Sequence, residues 1–252
     1  MTTHLVIPDQ HSHPDHSNER ADWLGELIAD IKPDVVINIG DAVDLASLSG
    51  YDKGKRSFYG KTYKKDIDSH LDFQERLWDR VRRRKKQLPR AVFLEGNHEH
   101  RIERALDLSP ELEGTVSFED LDLRRYYDDI VRYVGGTPGV IKVDGIRYGH
   151  YFISGIMGRS IGGEHPAYSI LTKQFSSGTC GHSHLFDLCV RTDGDGRKVM
   201  GMHCGVYQDY DADWAGECNK LWSRGVVIKR NVEDGCYDPQ FVSLAALKKA
   251  YG

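Results

Sequence analysis

Short apolar runs alternate along this chain with longer stretches in which apolar residues recur every three or four positions. His4 to Pro8 is a run too short for a helix, and it ends in the polar stretch Asp9-Gln10-His11-Ser12-His13-Pro14-Asp15-His16. From Ser17 onward, Trp23, Leu24, Leu27, Ile28 and Ile31 fall at helical spacing, with Ser17 or Asn18 placed to cap the first turn. Pro33 stops that helix, and Asp34 to Ile39 reads as a buried strand ending in Gly40-Asp41. A second helix is expected over about Ile67 to Gln87, with Ile67, Leu71, Trp78 and Val81 on one stripe. Pro89 ends it, and Ala91 to Leu94 forms a third strand that runs into Glu95-Gly96-Asn97-His98-Glu99. Strands separated by helices at this spacing predict a parallel sheet with right-handed crossovers. Polar residues directly after parallel strands emerge at one edge of the sheet, where ligands of open α/β sheets collect. Asp9, His11, Asp41, Asn97 and His98 are therefore expected to converge.

The second half of the chain changes period. Val140 to Val143, an Asp144-Gly145 turn and Ile146 to Tyr148 read as a hairpin that runs into Gly149-His150. Helical residues follow around Ala167 to Phe175, then Gly178-Thr179-Cys180-Gly181-His182-Ser183-His184. Leu185 to Thr192 pairs with Lys198 to His203 across Asp193-Gly194-Asp195-Gly196, and Val226 to Lys229 with Tyr237 to Val242. No linker, repeat or low-complexity segment interrupts the pattern. A single domain over residues 1–252 is the expected organisation, with a parallel half and a mostly antiparallel half.

Composition narrows the class. The 252 residues carry 34 Lys plus Arg against 38 Asp plus Glu, a formal charge of −4, and 39% are apolar, enough for a sizeable core. This balance gives no global attraction to nucleic acid, so any such partner must be held by a local patch. No apolar run reaches the ~18 residues of a membrane span and the N-terminus lacks a signal-peptide pattern, so a soluble cytoplasmic protein is expected. The five cysteines form no Cys-x-x-Cys pair, which argues against a disulfide framework or a thiolate zinc site. Twelve histidines are a surplus for this length.

Placed in order, the polar strand ends read Asp9-x-His11, Gly40-Asp41-x-x-Asp44, Gly96-Asn97-His98-Glu99, Gly149-His150 and Gly181-His182-x-His184. Each block alone is common; together, in sequence and at strand ends, they resemble the calcineurin-like metallophosphoesterase superfamily. The resemblance implies an α/β fold, a four-layer α/β/β/α sandwich of two mixed sheets flanked by helices, with a dinuclear metal site at the strand ends. It implies that Asp9, His11 and His184 hold one metal, that Asn97, His150 and His182 hold the other, and that Asp41 bridges them. His98 is then left to steady the transition state or protonate the leaving oxygen, with Asp44 orienting it. His150 is preferred to His165 as the lone-histidine ligand because it ends a strand.

The residue types suit that chemistry independently of the resemblance. A phosphoester is anionic, so attack by water needs charge neutralisation and a deprotonated nucleophile. Two divalent ions about 3.5–4 Å apart supply both, and they take oxygen and imidazole ligands. With no thiolate in the set, manganese is the expected metal, with iron, zinc or nickel as alternatives.

Substrate choice is expected to come from outside this core. The segment from about 45 to 66 holds Lys53, Lys55, Arg56, Lys61, Lys64 and Lys65 interleaved with Tyr51, Phe58, Tyr59 and Tyr63. Cations beside aromatics suit phosphate contact and base stacking, and Lys53, Lys55, Arg56 and Tyr59 are the candidate substrate contacts. A second basic run, Arg80 to Lys86, ends a helix on the opposite side of the sheet and reads as a solvated face. Glycine-rich residues 154–166 are expected to form a flap. His13, His16 and His100 read as loop or helix-entry residues near the site; His4, His70 and His203 carry no pattern. The leading function is a phosphodiesterase acting on nucleic acid or a nucleotide. The alternatives are a phosphomonoesterase acting on protein, nucleotide or polynucleotide ends, and a silent interaction module, which here lacks none of the expected ligands.

Overall fold

A computed structural model describes residues 1–84 and 87–252; Lys85 and Lys86, the end of the second basic run, lie outside the described residues. Four parallel strands build one side of the six-stranded first sheet: β1 (Thr2–Ile7), β2 (Val35–Asn38), β3 (Arg90–Leu94) and β4 (Asp129–Val131). The crossovers are α1 (Glu19–Ile31) and α2 (Tyr63–Arg84), and α3 (Arg101–Leu108) follows β3. Alternation along each strand sorts its side chains between two cores. Leu5, Ile7, Val36 and Phe93 pack with Trp23, Leu24 and Ile28 of α1 and Phe73, Leu77 and Trp78 of α2. Val6, Ile37, Val92 and Leu94 point the other way, into a second core.

That second core is closed by another sheet. β5 (Val140–Val143) and β6 (Ile146–Gly149) form the expected hairpin, with positive φ at both Asp144 and Gly145 as a type I′ turn requires. β7 (Ile153–Ser154) and β8 (Arg159–Ser160) make a small separate ribbon, and α4 (Pro166–Gln174) leads into β9 (Gly178–Cys180). β10 (Phe186–Thr192) and β11 (Lys198–Cys204) complete the five-stranded order β10-β11-β9-β6-β5, against which α4 lies. Ile146, Tyr148, Met200, Met202 and Cys204 of this sheet meet the inner face of the first. The chain then returns: β12 (Gly225–Glu233) pairs antiparallel with β1, and β13 (Cys236–Ser243) with β12. α5 (Leu244–Tyr251) packs on α1. The result is a mixed α/β fold with two large mixed sheets and helices. Among the described residues no helix is long and apolar enough to cross a membrane.

Several local expectations are corrected. α2 starts at Tyr63, not Ile67, so the last residues of the 45–66 segment are helical; Tyr63 is anchored by its hydroxyl, which donates to Asp120 at 2.8 Å. The Asn18 side chain does not cap α1 but donates to Ser69 O and Asp72, while Ser17 Oγ accepts from Glu19 N. The described part of the second basic run is consumed by partners. Arg80 and Arg84 pair with Asp22, Glu26 and Asp30 of α1, Arg83 with Asp79, and Arg82 donates to Arg125 O.

A lysine is buried in the second core. Lys229 of β12 is fully buried between the rings of Tyr148 and Tyr237, 4.7 and 4.2 Å from their centroids, with Nζ donating to Thr179 Oγ1. Burial pushes its pKa down from 10.5 to about 7. The unfolded chain therefore binds the extra proton between about pH 7 and 10.5, and folding stability gained above that window is lost as pH falls through it. Replacing Lys229 by Met is expected to raise the melting temperature relative to wild type most at pH 6, with the gap narrowing towards pH 10. A gap that is the same at both pH values would contradict this.

Candidate metal centre

Each block of the sequence pattern sits in a loop that leaves a strand at the same edge. Asp9 and His11 follow β1, Asp41 follows β2, Asn97 and His98 follow β3, His150 follows β6, and His182 and His184 follow β9. The ligand atoms of Asp9, His11 and His184 lie within 4.8 Å of one another, as do those of Asp41, His150 and His182, and those of His11, Asp41 and His98. His11 Nε2 and His184 Nε2 face each other at 3.2 Å, and His184 Nε2 is 3.3 Å from Asp9 Oδ2. Asp41 Oδ2 stands 3.3 Å from His150 Nε2, 3.8 Å from His98 Nε2 and 3.9 Å from His11 Nε2, so one oxygen faces both groups. Asn97 Oδ1 lies 2.9 Å from His150 Nε2.

The backbone there is held in conformations that L-residues avoid. His11, Asp41, His182 and His184 all have positive φ, between 45° and 67°. Such outliers persist only where the surroundings enforce them. Around His11, fully buried Arg20 of α1 donates to the carbonyls of Gln10 and Tyr207 and pairs with Asp209, while Tyr210 Oη donates to His11 O. Around Asp41, the Glu99 carboxylate accepts from the N–H groups of Asp41, Ala42 and Gly96 at 2.8–2.9 Å. Two glycines permit the close approach. A Cβ on Gly96 would stand 2.2 Å from Asp41 Oδ1, and one on Gly181 would stand 2.2 Å from Asp9 Oδ1.

Tautomers and charges are set by the same contacts. His150 Nδ1 donates to Ile39 O at 3.0 Å, leaving Nε2 towards Asp41. His98 Nδ1 donates to Asp44 O at 2.7 Å, and the Asp44 carboxylate is 3.1 Å from the same nitrogen. Burial opposes the charge on Asp41, but His150 and then His98 outweigh it and hold that carboxyl well below its ordinary range. Burial and Arg101 act against the His98 cation, yet Asp41 and Asp44 raise its pKa overall. Burial, then the charge of His150, pushes His182 down to about 4, which keeps it a neutral donor.

The donor set fits divalent cations. Asp9 Oδ1 is buried with no hydrogen-bond partner, an expensive state for a carboxylate oxygen that a coordinated cation relieves. Carboxylate, amide and imidazole donors without thiolate suit manganese, iron or zinc.

Of the expected substrate contacts, Lys53, Lys55, Arg56 and Tyr59 are exposed along the insertion, and Tyr59 is 94% accessible. From that segment it is Tyr51 that reaches a cavity of about 250 Å³ beside Asn97 and His182. Arg101, Arg104, Tyr151 and Ser160 form the rest of its wall. His16 stacks on Tyr210 at 3.7 Å, His13 Nε2 is 4.0 Å from Asp44, and His100 stacks on Tyr133 at 4.1 Å. His203 holds the Gly-His-Ser-His turn through Ser183 Oγ at 2.8 Å, and exposed His165 starts α4 outside all three groups. The sequence reading missed Arg20, the tethering role of Glu99, and Arg101, whose guanidinium lies 3.1 Å from His98 Nε2. Only Arg101 carried a readable signal, being three residues beyond His98.

A model of the calcineurin-like phosphoesterase family matches residues 3–225. No curated protein matches the chain. The glycine contact gives a direct test of the geometry. Gly181→Ala must displace Asp9, so it is expected to weaken Mn²⁺ binding at least about tenfold by calorimetric titration, with the circular dichroism spectrum retained. Unchanged Mn²⁺ affinity would contradict the placement of Asp9.

Proposed function

We propose a two-metal phosphodiesterase acting on nucleic acid or nucleotides for this chain, which belongs to the calcineurin-like phosphoesterase family. Membership makes it a hydrolase of phosphoester bonds. The observation that carries the finer reading is the pair of His/Asp groups facing one shared oxygen of Asp41, with His98 alongside. In this reading Asp9, His11 and His184 hold one divalent ion, Asn97, His150 and His182 the other, and Asp41 touches both. When bound, such a pair neutralises phosphoryl charge and supplies a deprotonated water. Manganese is the proposed metal.

The chain's own residues do the rest. Asp44 fixes Nδ1 of His98, and once Arg101 turns from Nε2 to a phosphoryl oxygen, Nε2 carries the proton that goes to the leaving oxygen. Arg101, tied to the carbonyl of Asp44 at 2.8 Å, presents a guanidinium beside that nitrogen and binds a phosphoryl oxygen. Diester preference is supported by aromatic surface on two sides. Trp222 stands edge-on to His184 at 4.4 Å with exposed Trp214 next to it, and Tyr51 and Tyr151 line the cavity beside Asn97 and His182. Rings so placed stack bases or other planar ester groups. Lys53, Lys55, Arg56 and Tyr59 lie farther out, where a longer strand passes. The whole chain is proposed to be one domain, with the α/β/β/α layering of the family supported by α1 and α2 on one sheet and α4 on the other.

Mn²⁺-loaded protein is expected to turn over bis-p-nitrophenyl phosphate. His98→Ala is expected to lower kcat by about two orders of magnitude while leaving metal content unchanged. Turnover of p-nitrophenyl phosphate alone would overturn the diesterase reading.

A further inference from the structure

The cavity of about 250 Å³ beside Asn97 and His182 extends past the reaction centre to Arg104, Tyr51, Tyr151 and Ser160, which the proposed mechanism leaves without a catalytic role. One wall belongs to the metal centre. The other consists of Arg101, Arg104, Tyr51, Tyr151 and Ser160 of the β7–β8 ribbon, with no carboxylate among the lining residues. Arg101 and Arg104 are three residues apart on α3 and share a helix face. Arg101 is held by the carbonyls of Asp44 and Leu45, whereas no side-chain hydrogen bond or ion pair ties the exposed Arg104 guanidinium to any described residue.

Of the nearby acids, exposed Asp107 at the end of α3 is not among the cavity's lining residues, and two others are already committed. Glu103, next to Arg104 in sequence, pairs with Arg132 at 2.6 Å, and Glu95 pairs with Arg132 at 2.7 Å and His100 at 3.3 Å. Tyr133, stacked on His100, brings its hydroxyl within 3.5 Å of that of Tyr151 and steadies the phenol at the rim. The cavity thus has two arginines, two tyrosines and a serine but no carboxylate in its lining, and it adjoins the candidate metal centre. It is smaller than the ~300 Å³ at which pockets for whole small molecules begin, so it suits a charged group rather than a complete nucleotide.

We propose that this cavity is an anion subsite that takes a second phosphate of the substrate, next to the phosphoester being cleaved, with Arg104 as its main contact. The proposal rests on the phosphodiesterase reading and narrows it to substrates carrying a neighbouring phosphate, such as a polynucleotide strand. Guanidinium forks pair bidentately with phosphate, and an arginine without a prior partner loses no ion pair on binding one.

The test is calorimetric binding of thymidine 5′-phosphate and thymidine 3′,5′-bisphosphate to the Mn²⁺-loaded protein. The bisphosphate is expected to bind about tenfold more tightly, and Arg104→Met to bring that ratio close to one, with Arg104→Lys between the two. Equal affinity of the wild type for both ligands would overturn the subsite. A preference that survives Arg104→Met would overturn the assignment to this cavity. Because binding is read without turnover, loss of bis-p-nitrophenyl phosphate hydrolysis would count against the phosphodiesterase reading and leave the subsite result standing.

Discussion

The site depends first on one buried carboxylate. Glu99 accepts four backbone N–H groups from two different strand-end loops, at Asp41, Ala42, Val43 and Gly96. Burial, and then the nearby Asp41 charge, pushes its pKa up to about 7, and the amide donors work in the opposite direction to keep it an acceptor. Those contacts decide where Asp41 and Asn97 stand, because both residues adjoin the tethered amides. Arg20 does the complementary work on the other side, donating to carbonyls of the loop that carries Asp9 and His11. A buried anion gathers amides and a buried cation gathers carbonyls. The three loops they organise carry Asp9, His11, Asp41 and Asn97.

Tethering of this strength explains how four candidate ligands remain in left-handed backbone conformations, each of which costs about 1–3 kcal/mol in a non-glycine residue. The strain is useful because it turns side chains inward that a relaxed loop would leave in solvent. His11, His182 and His184 converge on Asp9 and Asp41. The two facing cores give the edge its rigidity: strand ends sandwiched between helices on one side and a second sheet on the other cannot splay.

The parts of this arrangement that were legible in the sequence share a cause. Short apolar runs ending in Gly-Asp, Gly-Asn-His or Gly-His-x-His mark strands whose next residues must leave the sheet at one edge, and parallel topology does the gathering. What was not legible depends on partners distant in the chain. Arg20 looks like any polar residue at the start of a helix, yet it is fully buried because it reaches carbonyls at Gln10 and Tyr207. Tyr63-Lys64-Lys65-Asp66 reads as charged loop, and it is helical because Tyr63 docks on Asp120 and the Asp66 carboxylate accepts from Ser47 N. β4 has three residues, too few for a period, and exists because it pairs with β3. The exposed lysines of the insertion drew attention by composition, whereas the cavity wall is built by residues from four separate segments.

The proposed function rests on two ions sharing the Asp41 carboxylate. It is tested most directly by electron paramagnetic resonance of the protein titrated with Mn²⁺. The account predicts uptake of two ions per chain and an exchange-coupled spectrum, replaced in Asp41→Ala by weak binding without coupling. Saturation at a single ion per chain with an uncoupled spectrum in the wild type would contradict it.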